Sequence, residues 1–257
     1  MPSQVRFCGV GGSGESRLRR QRSWFGGLAD LRGSTFSGPG DPRLGRALCI
    51  VAHPDDVDFF AAGTVLLMTR NGVTVDFVLA TSGDKGSRDP STSGPHLAAS
   101  REREQLASAA VLGASRVEFL RYGDAELVDT LDFRRELVRE IRRTLPDVLL
   151  TFDPTPTYRQ HPDHRVVGRV ALDAAWPCAR DPLTYPEMGP PHETAEAWLF
   201  GSPRGTRADL KIDVRDVLDI KIAARLEHQS QTRDPVQLAR RWRRVAGQER
   251  FMQVDLR

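Results

Sequence analysis

Residues 47–80, ALCIVAHPDDVDFFAAGTVLLMTRNGVTVDFVLA, decide the fold. The opening run, 47–52 (ALCIVA), is short and continuously apolar, the pattern of a strand buried on both faces. Val57, Phe60, Thr64 and Leu67 then recur at helical spacing as far as Asn71-Gly72, and 74–80 (TVDFVLA) reads as a second strand. The unit is therefore strand, helix, strand.

Working outward, the alternation repeats. A helix is expected over 101–112, stopped by Gly113, and a strand over 117–120. Phe133, Leu137, Ile141 and Leu145 form a helical stripe ended by Pro146; 148–152 (VLLTF) is a fourth strand and 165–175 another helix. Beyond 176 the pattern loosens, with strands expected at 197–200 and 210–214 and helices at about 216–230 and 235–246. Strands that alternate with helices imply right-handed crossovers: an α/β fold, doubly wound, with a mostly parallel Rossmann-like sheet and helices on both faces. Such sheets bind ligands beyond the carboxyl ends of their strands, so chemistry is sought there.

Composition bounds the function. The 257 residues are 39% hydrophobic and 28% charged, ordinary for one globular domain. No run is long and apolar enough for a membrane span and no leader pattern follows Met1, so the expectation is no integral membrane segment and the cytoplasm as compartment. Cys8, Cys49 and Cys178 fit neither a disulfide framework nor a Cys-based zinc knuckle, and any metal must be held by His and carboxylates. The net charge of +3 divides into +5 for residues 1–46 and −2 for the rest, so the expected folded part has no broad basic footprint and no nucleic-acid partner is expected. Residues 1–45, rich in Gly, Ser and Arg, are expected to be a disordered tail before a domain over 46–257. Gly9, Gly11 and Gly14 match the dinucleotide fingerprint, but no buried strand precedes them and no amphipathic helix follows. Arg240, Arg241, Arg243 and Arg244 around Trp242 read as a solvated helix face with the indole turned inward.

Two clusters carry chemistry. The first strand runs into His53-Pro54-Asp55-Asp56, and the fourth is followed by His161-Pro162-Asp163-His164. Either alone is good turn chemistry, since Pro fixes φ and Asp caps the next helix. Together they concentrate imidazoles and carboxylates where ligands bind, and such groups repel or desolvate one another unless a divalent metal neutralises them. Catalytic zinc takes three protein ligands and leaves a position for water. Spacing permits several triads. Asp84, just past the second strand, is either a loop cap or a pocket contact, and Asp124 either meets a sugar hydroxyl or starts a turn. His228, on an apolar face with Val217, Ile220 and Ala224, reads as a core histidine.

The order AHPDD (52–56), AAGT (61–64), TSGDKGS (81–87), Arg101-x-x-Glu104 in a helix ending Leu112-Gly113, HPDH (161–164) and KIAARLEHQSQ (221–231) resembles the PIG-L/LmbE-type zinc-dependent N-deacetylases. These include the deacetylases of mycothiol and bacillithiol biosynthesis and of N-acetylglucosaminyl-phosphatidylinositol. The resemblance implies one Zn2+ per chain on His53, Asp56 and His164, with Asp55 as general base and His161, oriented by Asp163, as acid or electrostatic partner. It places Arg101 on substrate hydroxyls; Asp84 and Asp124, read above from their positions alone, are the further candidate substrate contacts. The implied reaction is hydrolysis of an N-acetyl group, on a small N-acetylglucosamine-type conjugate, by a metal-activated water; a homo-oligomer is left open. Two departures stand out: Val57 where relatives often have Glu, with the acid at Asp58 instead, and Arg159 where some have Tyr, with Tyr158 beside it. The competing readings are a metal-dependent phosphoesterase, which usually wants a second metal, and a non-catalytic metal- or sugar-binding protein.

Overall fold

The computed structural model describes residues 35–156, 158, 160–202 and 208–257. Its centre is the strand β1 (Arg46–Val51), apolar and buried from Ala47 onward, with β2 (Thr74–Thr81) and β4 (Val148–Phe152) parallel on its two sides. Outside these lie β3 (Arg116–Tyr122), parallel to β2, and β5 (Glu196–Phe200), parallel to β4. The chain steps from β1 through β2 to β3 at one edge and then crosses back past β1 to β4 and β5. That reversal leaves a crevice between the carboxyl ends of β1 and β4, the topological switch point of a doubly wound sheet. The two His-rich clusters follow those two strands.

Two further strands complete the seven-stranded sheet, in the order β3-β2-β1-β4-β5-β7-β6. β6 (Leu210–Asp213) was expected. β7 (Gln248–Asp255), antiparallel to both β5 and β6, was not. Its sequence, QERFMQVD, places the charge of Glu249 at a buried position where pattern reading looks for an apolar side chain.

The helices are α1 (Asp56–Phe60), α2 (Ala62–Arg70), α3 (Gly94–Leu112), α4 (Leu131–Thr144), α5 (Pro162–Asp173), α6 (Leu218–Leu226) and α7 (Pro235–Val245). The single helix expected over 57–70 is two, broken at Ala61, whose φ of −140° is not helical. The Glu249 carboxylate accepts the backbone N–H groups of Gly63 and Thr64 at 2.9 and 2.7 Å and so caps the start of α2. Lys221, equally buried, pairs with Glu249 at 2.6 Å. In α7, Trp242 is buried while its arginine neighbours face solvent, as expected.

Of the segment expected as a tail, residues 1–34, with the Gly9-Gly11-Gly14 motif, lie outside the described residues. Residues 35–45 differ from that expectation. Phe36 and Leu44 belong to the hydrophobic core, and the Phe36 N–H donates to Glu196 at 2.7 Å while Gln253 donates to its carbonyl at 2.8 Å. Among the described residues, no helix is long and apolar enough to cross a membrane.

Candidate active site

The loop after β1 turns sharply. Asp55 adopts a left-handed φ of +91°, a conformation that Asp tolerates better than most side chains, and α1 starts immediately after it. The Asp56 carboxylate folds back to accept the N–H groups of Ala52 and His53 at 3.1 and 2.7 Å, so the end of the strand itself holds this side chain. From β4, Gln160 and His161 lead into α5, with His161 as N-cap: its Nδ1 accepts the Asp163 N–H at 3.3 Å. Gly168 lets α5 lie on β4, because a Cβ there would sit 2.3 Å from the Phe152 carbonyl oxygen. Phe152 in turn stacks on the His164 ring, centroids 3.8 Å apart.

These supports bring the two clusters together. His53 Nδ1 and His164 Nε2 are 3.3 Å apart, and an Asp56 oxygen lies 3.1 Å from His164 Nε2 and another 3.6 Å from His53 Nδ1. Two ring nitrogens facing each other beside a carboxylate need a proton or a cation between them, and His, His and Asp are the donor types of a catalytic divalent-metal site. The donor atoms of the three residues all lie within 4.8 Å of one another. The residues fit such an ion.

The other His53 nitrogen is held from behind. Nε2 lies 3.1 Å from both the Asp124 and the Asp163 carboxylates, the arrangement that fixes the tautomer of a metal-ligating imidazole. Burial works against a charged His53, yet Asp124, Asp163 and Asp56 together push its pKa up to about 11. Burial likewise opposes ionised Asp56, but His164 and His53 hold it far below the usual carboxylate range. So much negative charge converging on one buried ring is the setting that a bound cation neutralises.

Asp55 sits apart from this donor set and is differently tuned. Burial raises its pKa, the Arg101 charge opposes that, and Asp56 adds to it, leaving about 6. Arg101 reaches Asp55 at 3.4 Å and Arg225 at 3.8 Å, while Gln105 accepts the Asp55 N–H at 3.0 Å. A carboxylate poised near neutrality at the mouth of a cleft suits proton transfer. His161 lies edge-on to His53, ring centroids 4.7 Å apart, and burial followed by the charge of His53 lowers its pKa.

Several expected side chains hold other positions than the sequence suggested. Asp163 was expected to orient His161; its carboxylate is 3.9 Å from His161 Nδ1, and it bonds His53 and the backbone of Ala125 instead. Arg101 is buried, and its guanidinium donates to the carbonyls of Gly83 and Pro54 at 3.0 and 2.5 Å. Asp124 faces His53, and Asp84 accepts the Asp124 N–H at 3.1 Å from outside the cavity wall. His228, by contrast, is the core histidine that the sequence suggested, bonded to buried Asp58 at 2.9 Å. The cavity over the site, about 440 Å³, is walled by Phe59, Phe60, Lys85, Gly86, Ala125 and Gln231 besides the charged groups. Sequence reading missed Phe59, Gln105, Arg225 and Gln231. Only the late-helix resemblance touched two of them.

The pattern of one protein family, PIG-L: GlcNAc-PI de-N-acetylase, matches residues 48–175. Diacetylchitobiose deacetylase of Thermococcus kodakarensis is 32% identical over 186 residues, 72% of this chain and 70% of that protein. The chain belongs to the PIG-L family. Another PIG-L-type relative, the 1D-myo-inositol 2-acetamido-2-deoxy-alpha-D-glucopyranoside deacetylase of Streptomyces scabiei, is 34% identical over 65% of this chain and 60% of its own length. The solved structure of N,N'-diacetylchitobiose deacetylase from Pyrococcus horikoshii superposes with a TM-score of 0.75 at 28% identity, covering 83% of this chain and 85% of that one. Both His-rich clusters of the PIG-L site fall inside the matched segment. Arg225 and Gln231 lie beyond it.

Proposed function

We propose that this PIG-L deacetylase hydrolyses the N-acetyl group of a small N-acetylglucosamine-type conjugate, with one zinc held by His53, Asp56 and His164. The observation that carries the reading is the convergence of His53 Nδ1, His164 Nε2 and Asp56 within 3.1–3.6 Å, with Asp55 beside them but bonded elsewhere. Zinc, when bound, supplies Lewis acidity to water and to the acetamide oxygen. Asp55 takes a proton from the attacking water and, now neutral, returns it to the departing amine. Arg101 and Arg225 keep its carboxylate aimed at the cavity. The hydrogen bond from the Asp163 N–H fixes His161 Nδ1 as acceptor, which leaves Nε2–H to donate to the oxygen on which negative charge develops. Water and the acetamide become acetate and a free amine.

A phosphoesterase with two metals finds less support. The two groups able to hold a metal among the described residues both require His53, and its Nε2 is taken up by Asp124 and Asp163. The test is acetate release from N-acetylglucosaminyl conjugates, run beside a panel of phosphate esters. Phosphate release without acetate overturns the proposal.

A further inference from the structure

The short helix α1 carries two acids. Asp56 faces the site, whereas Asp58 is wholly buried and joins none of the groups able to hold a metal among the described residues. Its carboxylate accepts the Ser108 hydroxyl at 2.6 Å and the His228 Nε2–H at 2.9 Å, and both of those residues are buried just as completely. The other His228 nitrogen, Nδ1, has no hydrogen-bond partner among the described residues. Such a trio adds little net stability, because desolvation offsets the attraction and apolar side chains of similar volume often serve as well. What it does supply is register between three elements: α1, α3 and the turn that follows α6.

Those elements also hold Asp55. At φ +91° this residue is strained, a conformation that persists only where the surroundings impose it. From α3, Gln105 accepts its N–H at 3.0 Å and Arg101 approaches its carboxylate at 3.4 Å; residues 101, 105 and 108 follow the helical repeat, so these contacts and the Ser108 bond share one buried face. From α6, Arg225 comes within 3.8 Å of the carboxylate. The turn 228–232 grips that guanidinium, which donates to the Thr232 hydroxyl at 2.9 Å and to the carbonyls of Gln231 and His228 at 3.3 and 3.5 Å. The Thr232 hydroxyl donates to the same His228 carbonyl at 2.8 Å, and Ser230 ties the turn to Glu104 of α3 by two bonds of 2.7 Å. His228 is the anchor of this turn: its ring is fastened to α1, and its carbonyl belongs to the bonds that orient Arg225.

We infer that His228, held by Asp58, is a positioning residue of the hydrolysis, which sets the aim of Arg225 and through it the orientation of the Asp55 carboxylate toward the reactive cavity. This role rests on the deacetylase reading above and adds to it a layer behind the base. It also uses two sequence features that the site itself leaves idle, the acid at 58 in place of 57 and the histidine within 221–231.

The experiment measures kcat and KM for acetate release from N,N'-diacetylchitobiose or, if that is not hydrolysed, from whichever conjugate of the panel above is, with bound zinc counted per chain. The variants are His228→Leu, His228→Gln, Arg225→Lys and the double His228→Leu/Arg225→Lys. His228→Leu is expected to keep its zinc and its KM while kcat per bound zinc falls about 10–100-fold, the effect of a misdirected reacting group. His228→Gln, whose amide can still donate to Asp58, is expected to recover most of that loss. Arg225→Lys keeps the charge but loses the fork that the turn grips, so adding His228→Leu to it is expected to change kcat by no more than about twofold. A merely structural histidine would lower the folded, zinc-loaded fraction and leave kcat per zinc alone. Should His228→Leu fail to fold, Ser108→Ala, which removes the other donor to Asp58, takes its place in the same cycle with a smaller loss of kcat. Wild-type kcat per zinc, a loss confined to KM or zinc content, a loss that His228→Gln does not relieve, or full additivity with Arg225→Lys overturns the positioning role while leaving the deacetylase reading intact. No acetate from the wild type with any conjugate overturns both.

Discussion

Asp163 belongs to the cluster 161–164, yet its carboxylate meets His53, 110 positions earlier, at 3.1 Å. The same carboxylate accepts the N–H of Ala125 at 2.7 Å and of Leu127 at 3.3 Å, so it ties its own helix and the loop 125–127 to one imidazole. Partners of this kind set ligand basicity and orientation. Asp163→Asn is therefore expected to weaken zinc binding by about 10–100-fold, with the fold kept. Competition against a chromophoric chelator measures it; unchanged affinity would return Asp163 to a purely local capping role.

Removal of the metal is expected to abolish acetate release, and added zinc to restore it. Asp56→Ala and His164→Ala are expected to purify with far less zinc than the wild type, because each deletes one of three donors. Elemental analysis of the purified variants checks this directly.

For Asp55 the choice of substitution matters. The residue sits at φ +91°, where alanine is strained but asparagine is tolerated, so Asp55→Asn removes the proposed base and spares the turn. Metal content is expected to stay at the wild-type level while kcat falls by about 10²–10⁴-fold. Loss of metal and activity together would instead make Asp55 a structural residue of the loop.

Gly168 tests how tightly the second cluster is positioned. A Cβ 2.3 Å from the Phe152 carbonyl cannot be accommodated by turning a side chain, so α5 must move away from β4 and carry His164 with it. Gly168→Ala is expected to cost about 1–3 kcal/mol in chemical denaturation and to weaken zinc binding as well. Wild-type affinity in this variant would show that the centre does not depend on the contact between helix and strand.

Truncation separates the segment before residue 35 from the one after it. A chain starting at Thr35 is expected to keep its stability. Phe36→Ala is expected to cost about 3 kcal/mol, since the ring is buried between elements far apart in sequence. A thermal melt of the two variants side by side is sufficient.

Much of the centre was legible because each cluster follows a short apolar strand, and the strand order makes those ends neighbours. His53, Asp55, Asp56, His161 and His164 all come from such positions. The remaining groups were hidden for identifiable reasons. Arg225 and Gln105 lie on helices remote in sequence, where a buried polar side chain looks like any surface residue until its partner is known. Asp124 read as either a sugar contact or the start of a turn, and only the fold shows that it faces His53. β7 was missed because Glu249 occupies an inward position, its charge met by Lys221 and by the start of α2. Pattern reading penalises such a charge because it cannot see the groups that compensate it.

Alternation along that last strand has an evolutionary corollary. Glu249 and Phe251 point inward and anchor it, while Gln248 and Arg250 project from the opposite side. Anchorage of the strand thus rests on its inward residues alone, so the outward positions are free to drift without loosening the start of α2 that Glu249 holds.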